Sequence, residues 1–248
     1  MLPYEAFAAC YDALMADVNY EAWADYLAGL IREHGAPETT LLDAACGTGI
    51  MTLLLQKAGF AVTGADASPA MLGQAAKKAR AKGLPAGFVC QDLRALELHA
   101  PVGVVNCALD GVNYLTTKAD LRAFFKSASA ALRPGGLLLF DVSTPHKFAN
   151  VIGDRTIADE VEDAAFIWYN DFDARSALCR MRLTLFIREA DGRYARFEEE
   201  HVQRAHTLCE LESAMRSAGL ARLGAYSFLS RSPAKENDER WQVVARKV

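Results

Sequence analysis

The sequence lacks several features that would point to a specialised class of protein. Its six cysteines form no Cys-x-x-Cys pair, so the thiols are expected to be reduced and mostly buried. No apolar run approaches the roughly 20 residues that span a bilayer. No Lys or Arg precedes Arg32, so neither a secretory signal nor a transit peptide is indicated. These absences predict a cytoplasmic protein without a membrane partner.

A strong excess of one charge is also missing. The 248 residues include 27 Lys and Arg against 31 Asp and Glu, a formal net charge of −4. Proteins that neutralise many phosphates carry a basic surface, so nucleic acid is not an expected partner. With 52% hydrophobic residues, the composition excludes disordered and fibrous classes and suits one large α/β domain with a modest insertion.

Up to about residue 149, short apolar runs alternate with helical stretches. Five of these runs predict buried parallel strands, at 41–45, 60–66, 86–90, 102–109 and 137–143. An amphipathic helix at 20–34 is expected to precede the first strand, and two further strands at 220–230 and 239–247 complete the sheet. The predicted fold is α/β, a three-layer, doubly wound, Rossmann-like sheet of seven strands.

Residues 150–206 depart from this alternation and predict antiparallel β structure. In the segment 179–188 every second residue is apolar, and Asp191-Gly192 predicts a hairpin turn. The chain is therefore expected to divide into two parts. The main domain comprises residues 1–149 and 207–248, and its residues 1–34 form a helical N-terminal cover. Residues 150–206 form an inserted antiparallel β cap after strand five.

Chemistry-bearing residues follow three successive strands. Asp43 precedes the glycine-rich turn 45–49, whose small residues let the backbone approach a ligand at the start of a helix. Asp66 ends the second strand, where a carboxylate accepts the hydroxyls of a ribose. Asp92 ends the third strand, within reach of the amino group of an adenine. The three acids predict a nucleotide-type ligand.

Two ligand classes share this arrangement. The dinucleotide pattern Gly-x-Gly-x-x-Gly is broken, since Ala45 stands where a glycine would precede Gly47, and a pattern that starts at Gly47 has Thr52 in place of its third glycine. An NAD(P)-dependent reductase is therefore a disfavoured alternative. The segments DAACGTG, GADASPAML, CQDL and LRPGGLLLFDVSTP together resemble the class I S-adenosylmethionine-dependent methyltransferases. The segments YEAFAACYDALM, NYLTT and EEHVQRAHT resemble the small-molecule members of that superfamily.

The resemblance covers most of the chain and specifies cofactor and fold rather than substrate. It implies S-adenosyl-L-methionine as cofactor, S-adenosyl-L-homocysteine as product, and in-line methyl transfer to an O or N nucleophile of a small molecule. A non-catalytic S-adenosylmethionine-binding protein stays open as an alternative. No metal is expected, because His201 and His206 lack metal-ligand spacing and Asp141 is not followed by the Asn found in divalent-ion methyltransferases.

The resemblance also implies roles for individual residues. The methionine end of the cofactor would lie against Asp43, Ala45, Gly47 and Gly49, the ribose against Asp66, the adenine against Ala67, Met71, Asp92 and Leu93, and the sulfonium near Ala108, Asp110, Asn113 and Tyr114, with Tyr11 folded over the cofactor. Candidate bases are His146, Asp110 and Tyr114, and His201 and His206 are further histidines to consider.

Two interpretations of the β insertion remain open. As a lid over the acceptor, it would contribute substrate-binding residues Trp168, Tyr169, Arg182, His201 and Arg204. Alternatively it covers a sheet edge or forms a homodimer contact, and its Arg/Glu alternation consists of solvated cross-strand pairs.

Overall fold

The computed structural model describes residues 7–161 and 163–248, which contain six α-helices and eleven strands. The helices are Tyr11–Leu14 (α1), Tyr20–Glu33 (α2), Ile50–Lys57 (α3), Pro69–Ala81 (α4), Lys118–Ala131 (α5) and Leu208–Ser217 (α6). The strands are Thr40–Ala44 (β1), Ala61–Asp66 (β2), Gly87–Cys90 (β3), Val102–Cys107 (β4), Leu132–Ser143 (β5), Thr156–Val161 (β6), Ala164–Asp173 (β7), Leu178–Arg188 (β8), Tyr194–Arg204 (β9), Leu220–Ser227 (β10) and Arg240–Lys247 (β11).

Seven strands form the main sheet in the order β10-β11-β5-β4-β1-β2-β3. Strands β1 to β5 pair with their neighbours in parallel. Strand β11 pairs antiparallel with β5, and β10 pairs antiparallel with β11. One face packs against α2 and α3, and the other against α5 and α6, each through its own apolar cluster. The predicted three-layer, doubly wound fold is thus confirmed.

The structure extends strand five beyond its predicted start. The sequence Arg133-Pro134-Gly135-Gly136 predicts a turn before residue 137, whereas β5 begins at Leu132. A bulge accounts for the difference, because Val102 lies opposite Leu132 and Val104 lies opposite Leu137. At the other end of the chain, β10 stops at Ser227 because the backbone turns and Ser227 N–H donates to Ser232 O.

The insertion forms a separate four-stranded antiparallel sheet, in the order β6-β7-β8-β9. We call inner face the side formed on β7, β8 and β9 by Ala164, Phe166, Trp168, Asn170, Phe172, Cys179, Met181, Leu183, Leu185, Ile187, Ala195, Phe197, Glu199, His201 and Gln203. It packs on residues 7–14, here called the N-terminal segment, and on Phe148 after β5. The opposite, outer face exposes Arg180, Arg182 and Glu200.

No helix among residues 7–161 and 163–248 has the length and apolar character needed to cross a membrane.

His206 holds the turn that follows β4, the 3₁₀ turn Gly111–Tyr114. Its ring is 1% exposed and lies against the backbone of Val112 and Leu115. Burial lowers the pKa of His206 to about 4, because a charged imidazole would lose its hydration there. A neutral, enclosed histidine is a structural support rather than a base.

This burial predicts an acid-sensitive contribution to stability. An unfolded histidine has a pKa near 6.5, so as the pH falls the unfolded chain takes up the proton before the folded one does. The stabilisation from neutral His206 is therefore present above pH 6.5 and is lost as the pH falls through about 4. The loss should reach up to about 3 kcal/mol in the free energy of unfolding.

Urea unfolding of the wild type and of His206→Gln between pH 7 and pH 4 measures this contribution. Asp43 and Asp141, with pKa values raised to about 6, shift stability in the opposite direction, but they do so in both proteins. The wild type should therefore lose more stability than the variant across this range. Parallel pH dependences of the two proteins would contradict the assignment.

Candidate active site

The glycine-rich turn between β1 and α3 is built from left-handed backbone. Ala45, Gly47 and Gly49 have φ angles of 56°, 53° and 77°. A Cβ on Gly49 would approach the Cβ of Ala75 to 2.9 Å, whereas a Cβ on Gly47 would meet nothing within 4 Å. Gly49 therefore lets α3 pack against α4, and Gly47 leaves open space where a ligand can approach the backbone.

Asp66 lies directly beside this turn. Its Oδ2 accepts a hydrogen bond from Gly47 N–H and its Oδ1 one from Ser68 N–H, both at 2.8 Å. Ser68 itself caps α4, as the sequence predicts. Burial raises the pKa of Asp66. Each carboxylate oxygen has two lone pairs and uses one, so both oxygens retain the capacity to accept a ribose hydroxyl.

Asp43 lies beneath the turn rather than at its surface. Its carboxylate is 1% exposed and accepts hydrogen bonds from Thr52 Oγ1 at 2.6 Å and from Asn106 Nδ2 at 2.8 Å. Burial raises the pKa of Asp43 to about 6. The structure therefore gives this side chain the role of joining β1 to α3 and β4, so it supports the cofactor loop from below.

The expected adenine edge contains Ala67, Met71, Asp92 and Leu93. Met71 is 2% exposed at the start of α4, and Ala67 O accepts a hydrogen bond from the thiol of Cys90 on β3. Asp92 is engaged by Arg94, whose Nε and Nη2 lie 2.8 and 2.6 Å from its two oxygens. These bonds lower the pKa of Asp92, so the carboxylate is ionised and able to accept from an amino group.

The loop after β4 lies against the glycine-rich turn. Ala108 is buried, and the next residues, Leu109 and Asp110, both adopt left-handed backbone with φ of 60° and 64°. A Cβ on Gly111 would come within 2.7 Å of Cys107 Sγ and 3.0 Å of Ala45 Cβ. Only glycine permits this contact, which brings the 111–114 turn next to the cofactor loop.

Asn113 secures the 111–114 turn through its side-chain amide. Its Nδ2 donates to Ser143 O at 3.0 Å and to Arg204 O at 2.8 Å, and its Oδ1 accepts from Ser143 N–H at 2.9 Å. Both amide protons are therefore used by the backbone of β5 and β9. Asn113 therefore ties the turn to two strands.

A buried ion cluster lies at the ends of β4, β5 and β11. Arg240 Nη1 and Nη2 lie 2.5 and 3.0 Å from the oxygens of Asp110, and Nη1 also contacts Asp141. The guanidinium stacks over the rings of Trp23 and Phe228, at 5.2 and 5.4 Å. Burial alone would raise the pKa of Asp110, but Arg240 and Lys147 hold it below its usual range.

The N-terminal segment lies over the cofactor loop. Asp12 accepts a hydrogen bond from Thr48 Oγ1 at 2.5 Å and pairs with Lys78 on α4. The phenol of Tyr11 lies beside those of Tyr20 and Tyr114 and beside Asp110, and burial raises its pKa well above the usual value. Tyr11 therefore lies beside the loop after β4, and the adjacent Asp12 contacts the cofactor loop.

Three polar side chains are buried on the inner face of the insertion. Glu199, His201 and Gln203 of β9 are 4%, 2% and 7% exposed. His201 Nδ1 lies 3.2 Å from Tyr114 Oη, and its Nε2 lies 3.3 Å from Glu199 Oε2. Trp168 packs beside His201 with ring centroids 6.4 Å apart. The structure thus brings Tyr114, Trp168 and His201 together, as an acceptor site would require.

Two of the expected substrate residues lie on the other side of the same sheet. Tyr169 is 41% exposed and pairs in register with Arg182, whose guanidinium lies 5.7 Å from the tyrosine ring centroid. Successive residues of a strand point to opposite faces, so a site lined by Trp168 excludes Tyr169. Tyr169 and Arg182 therefore lie apart from the cluster of Tyr114, Trp168 and His201.

Two other candidates have structural partners. Arg204 donates to Ser176 O at 3.0 Å and pairs with Glu210 at 3.2 Å, which fixes the end of β9 to α6. His146 begins the π-helical segment Lys147–Ile152, and its Nδ1 lies 3.2 Å from Asn150 Nδ2. Neither contact belongs to the cluster around Tyr114.

Two important residues were missed from the sequence. Glu199 shares the period-two phase of His201 in the segment EEEHVQR, so strand alternation could have identified it. Arg240 gives no local signal, because its partner Asp110 is 130 positions away. No group of three or more His, Cys, Asp or Glu residues in the described parts of the chain is arranged to hold a metal ion.

Comparison with known proteins places this geometry in a family. Residues 41–136 match a family described as a methyltransferase domain. The putative methyltransferase YqeM of Bacillus subtilis (strain 168) is 36% identical over 219 residues, which cover 87% of this chain and 85% of that protein. The dTDP-3-amino-3,4,6-trideoxy-alpha-D-glucopyranose N,N-dimethyltransferase of Streptomyces venezuelae is 27% identical over 206 residues, covering 82% and 84%.

A solved structure agrees over nearly the whole chain. The S-adenosylmethionine-dependent methyltransferase from Clostridium acetobutylicum ATCC 824 has a TM-score of 0.88 and 30% sequence identity, and the match covers 98% of each chain. The open space over Gly47, the remaining acceptor capacity of Asp66 and the ionised Asp92 fit the cofactor of such enzymes. The chain belongs to the class I S-adenosylmethionine-dependent methyltransferases, and S-adenosylmethionine is its cofactor.

Proposed function

We propose that this enzyme methylates an amine nitrogen of a small molecule bound between the 111–114 turn, the N-terminal segment and the inner face of the insertion. The row Glu199, His201 and Gln203 carries the proposal. A few polar side chains on an otherwise apolar and aromatic face are typical of a small-molecule binding surface. It faces Tyr114 at the carboxyl edge of the parallel sheet, where α/β folds bind ligands.

The cofactor would be held by the loops described above. Asp66 would accept the ribose hydroxyls, Asp92 the adenine amino group, and the backbone around Gly47 would meet the methionine end. When bound, S-adenosylmethionine supplies a methyl group already activated by the sulfonium. The protein's contribution is therefore to align the nucleophile and exclude water, and such positioning is worth several kcal/mol.

The charges of the inner face favour an amine. Among the described residues of β7, β8 and β9, those of the inner face include one carboxylate, that of Glu199, and no Lys or Arg side chain. The arginines of β8 and β9 have the opposite phase, and Arg240 and Lys147 lie with Asp110 in a separate cluster. A negatively charged acceptor would find no cation on this surface, whereas a cationic amine finds Glu199. The name of the Streptomyces venezuelae relative, an amino-sugar N,N-dimethyltransferase, is consistent with this choice.

The ion cluster supports a positioning role for Asp110. Its carboxylate is bound to Arg240 and accepts from Ser143 Oγ at 2.9 Å, and its pKa is held low. An acid that gives up its proton so readily is a poor base near neutral pH. Asp110 therefore fixes the start of the 111–114 turn, and His146 lies outside the buried row.

The cofactor assignment predicts the effect of Asp66→Asn. Replacing one oxygen with an amide removes charge and acceptor capacity, so S-adenosylhomocysteine affinity should fall roughly 10- to 100-fold, as expected for losing hydrogen bonds to a charged group. Calorimetry measures the change. Asp191→Asn, which removes the same charge from the exposed hairpin of the insertion, is the control. Equal affinities for the two variants would contradict the ribose role.

The lid interpretation predicts different effects at two adjacent positions. Trp168→Ala should raise the KM for the acceptor by about tenfold or more, because it removes apolar area from the inner face. Tyr169→Ala, one residue away on the outer face, should leave the acceptor KM unchanged. S-adenosylhomocysteine affinity should stay constant in both variants. Equal acceptor KM values in the two variants would show that the inner face does not bind the acceptor.

The acceptor class is tested by release of S-adenosylhomocysteine. Each small-molecule amine, including amino sugars and amino acids, is assayed beside its hydroxyl and carboxylate analogues at fixed cofactor concentration. Turnover is expected with amines alone. Turnover with hydroxyl analogues alone would replace the nitrogen acceptor with an oxygen acceptor. Binding of S-adenosylhomocysteine without turnover of any compound would favour the non-catalytic alternative.

A further inference from the structure

A continuous chain of polar contacts runs from the 111–114 turn into the insertion. Tyr114 Oη lies 3.2 Å from His201 Nδ1, and His201 Nε2 lies 3.3 Å from Glu199 Oε2. The side chains of His201 and Glu199 are 1% and 0% exposed. Water therefore does not compete for these contacts, and their partners fix which atoms carry protons.

The contacts favour one arrangement of hydrogens. A carboxylate at Glu199 only accepts, so its contact with His201, 3.3 Å from Oε2 to Nε2, favours the tautomer protonated on Nε2. The Nδ1 atom is then an acceptor, and Tyr114 O–H donates to it. The other oxygen of Glu199 accepts from Phe7 N–H at 3.0 Å, which keeps the carboxylate oriented. The three groups follow the order of a catalytic triad. A hydroxyl lies at one end, an imidazole that can accept its proton lies in the middle, and a carboxylate orients the imidazole.

An amine acceptor needs such a device. Aliphatic amines have pKa values near 10, as lysine does, and arrive as ammonium ions without a free lone pair. The nitrogen must lose a proton before it can attack a methyl group. Asp110, bound to Arg240, and His206, enclosed and neutral, are both poor acceptors for that proton.

We propose that Tyr114, His201 and Glu199 form a proton relay that deprotonates the amine, with Glu199 as the positioning residue. The proposal rests on the amine methyltransferase function proposed above. The ammonium N–H bond breaks and its proton passes to Tyr114 Oη, while the Tyr114 hydroxyl proton passes to His201 Nδ1. The products are a neutral amine with its lone pair, an intact tyrosine and an imidazolium, whose proton returns through Tyr114 to solvent after the methylated product has left. The carboxylate of Glu199 stabilises that imidazolium.

Other titratable groups lie around the relay. Cys10 and Tyr11 approach from the N-terminal segment, and Asp110 lies at the start of the 111–114 turn. Burial raises the pKa of Cys10 to about 11 and that of Tyr11 well above its usual value, so both are neutral near pH 7. The Asp110 charge is paired with Arg240. The relay residues are therefore the groups suited to exchange a proton with the acceptor in that range.

The test compares Glu199→Gln with Glu200→Gln, its neighbour on the outer face. Each is assayed with an aliphatic amine that is protonated at pH 7 and with a fluorinated analogue whose nitrogen is largely neutral at that pH. Glu199→Gln should lower kcat for the protonated amine roughly 10- to 100-fold, as expected for impaired general-base catalysis. It should leave S-adenosylhomocysteine affinity within a few fold, and should reduce kcat for the neutral amine by less. Glu200→Gln should behave as the wild type.

A second variant and a spectroscopic measurement support the kinetic test. Tyr114→Phe should show the same selective loss on the protonated amine. Nitrogen NMR of His201 should show the Nε2-protonated tautomer in the wild type and a loss of that preference in Glu199→Gln. An Nδ1-protonated His201 in the wild type would overturn the relay.

The outcomes separate the relay from the function on which it rests. Wild-type turnover of amines with unchanged kcat in Glu199→Gln would refute the relay and leave the amine assignment intact. Equal losses on both amines, or a parallel loss of S-adenosylhomocysteine affinity, would mean that Glu199 is only structural and would also refute it. Absence of wild-type turnover with every amine would overturn the function and the relay together.

Discussion

Arg240 places a guanidinium between the carboxylates of Asp110 and Asp141, and thereby fixes the ends of three strands relative to one another. Burying charges is costly, and removing one partner of such a set typically costs about 3–5 kcal/mol because the others are left uncompensated. Since Asp110 begins the 111–114 turn, the same contact sets the position of Tyr114. The amide of Asn113 holds the turn from the other side. The proposed acceptor end of the site depends on this pairing.

The cofactor loop and the proposed acceptor surface share one cover, the N-terminal segment. Asp12 connects the segment to Thr48 in the cofactor loop, and Phe7 N–H connects it to Glu199 in the insertion. Its apolar side chains pack on the inner face. Displacing the segment would therefore expose both binding regions together, and restoring it would enclose both.

Local sequence signals predicted the parallel sheet, the cofactor loop and the position of Asp66, because strand ends and glycine turns are encoded by neighbouring residues. The insertion was predicted as β structure, but Tyr169 and Arg182 were grouped with Trp168 as acceptor residues, whereas the alternation of β7 and β8 places them on the opposite face. The partnership of Arg240 with Asp110 depends on β11 inserting beside β5, and no local pattern encodes that placement.

Glu198, Glu199 and Glu200 are chemically identical and adjacent, yet the first pairs with Arg196 in solvent, the second is buried, and the third faces Arg180. Only the phase of β9 distinguishes them. Adding or deleting one residue in the hairpin before β9 would leave the composition nearly unchanged. If it shifts the pairing of β9 by one residue, Glu199 and His201 turn to the outer face and a neighbouring glutamate turns inward. For this enzyme, the length of a solvent-exposed hairpin is thus as much a determinant of active-site chemistry as the identity of the buried side chains.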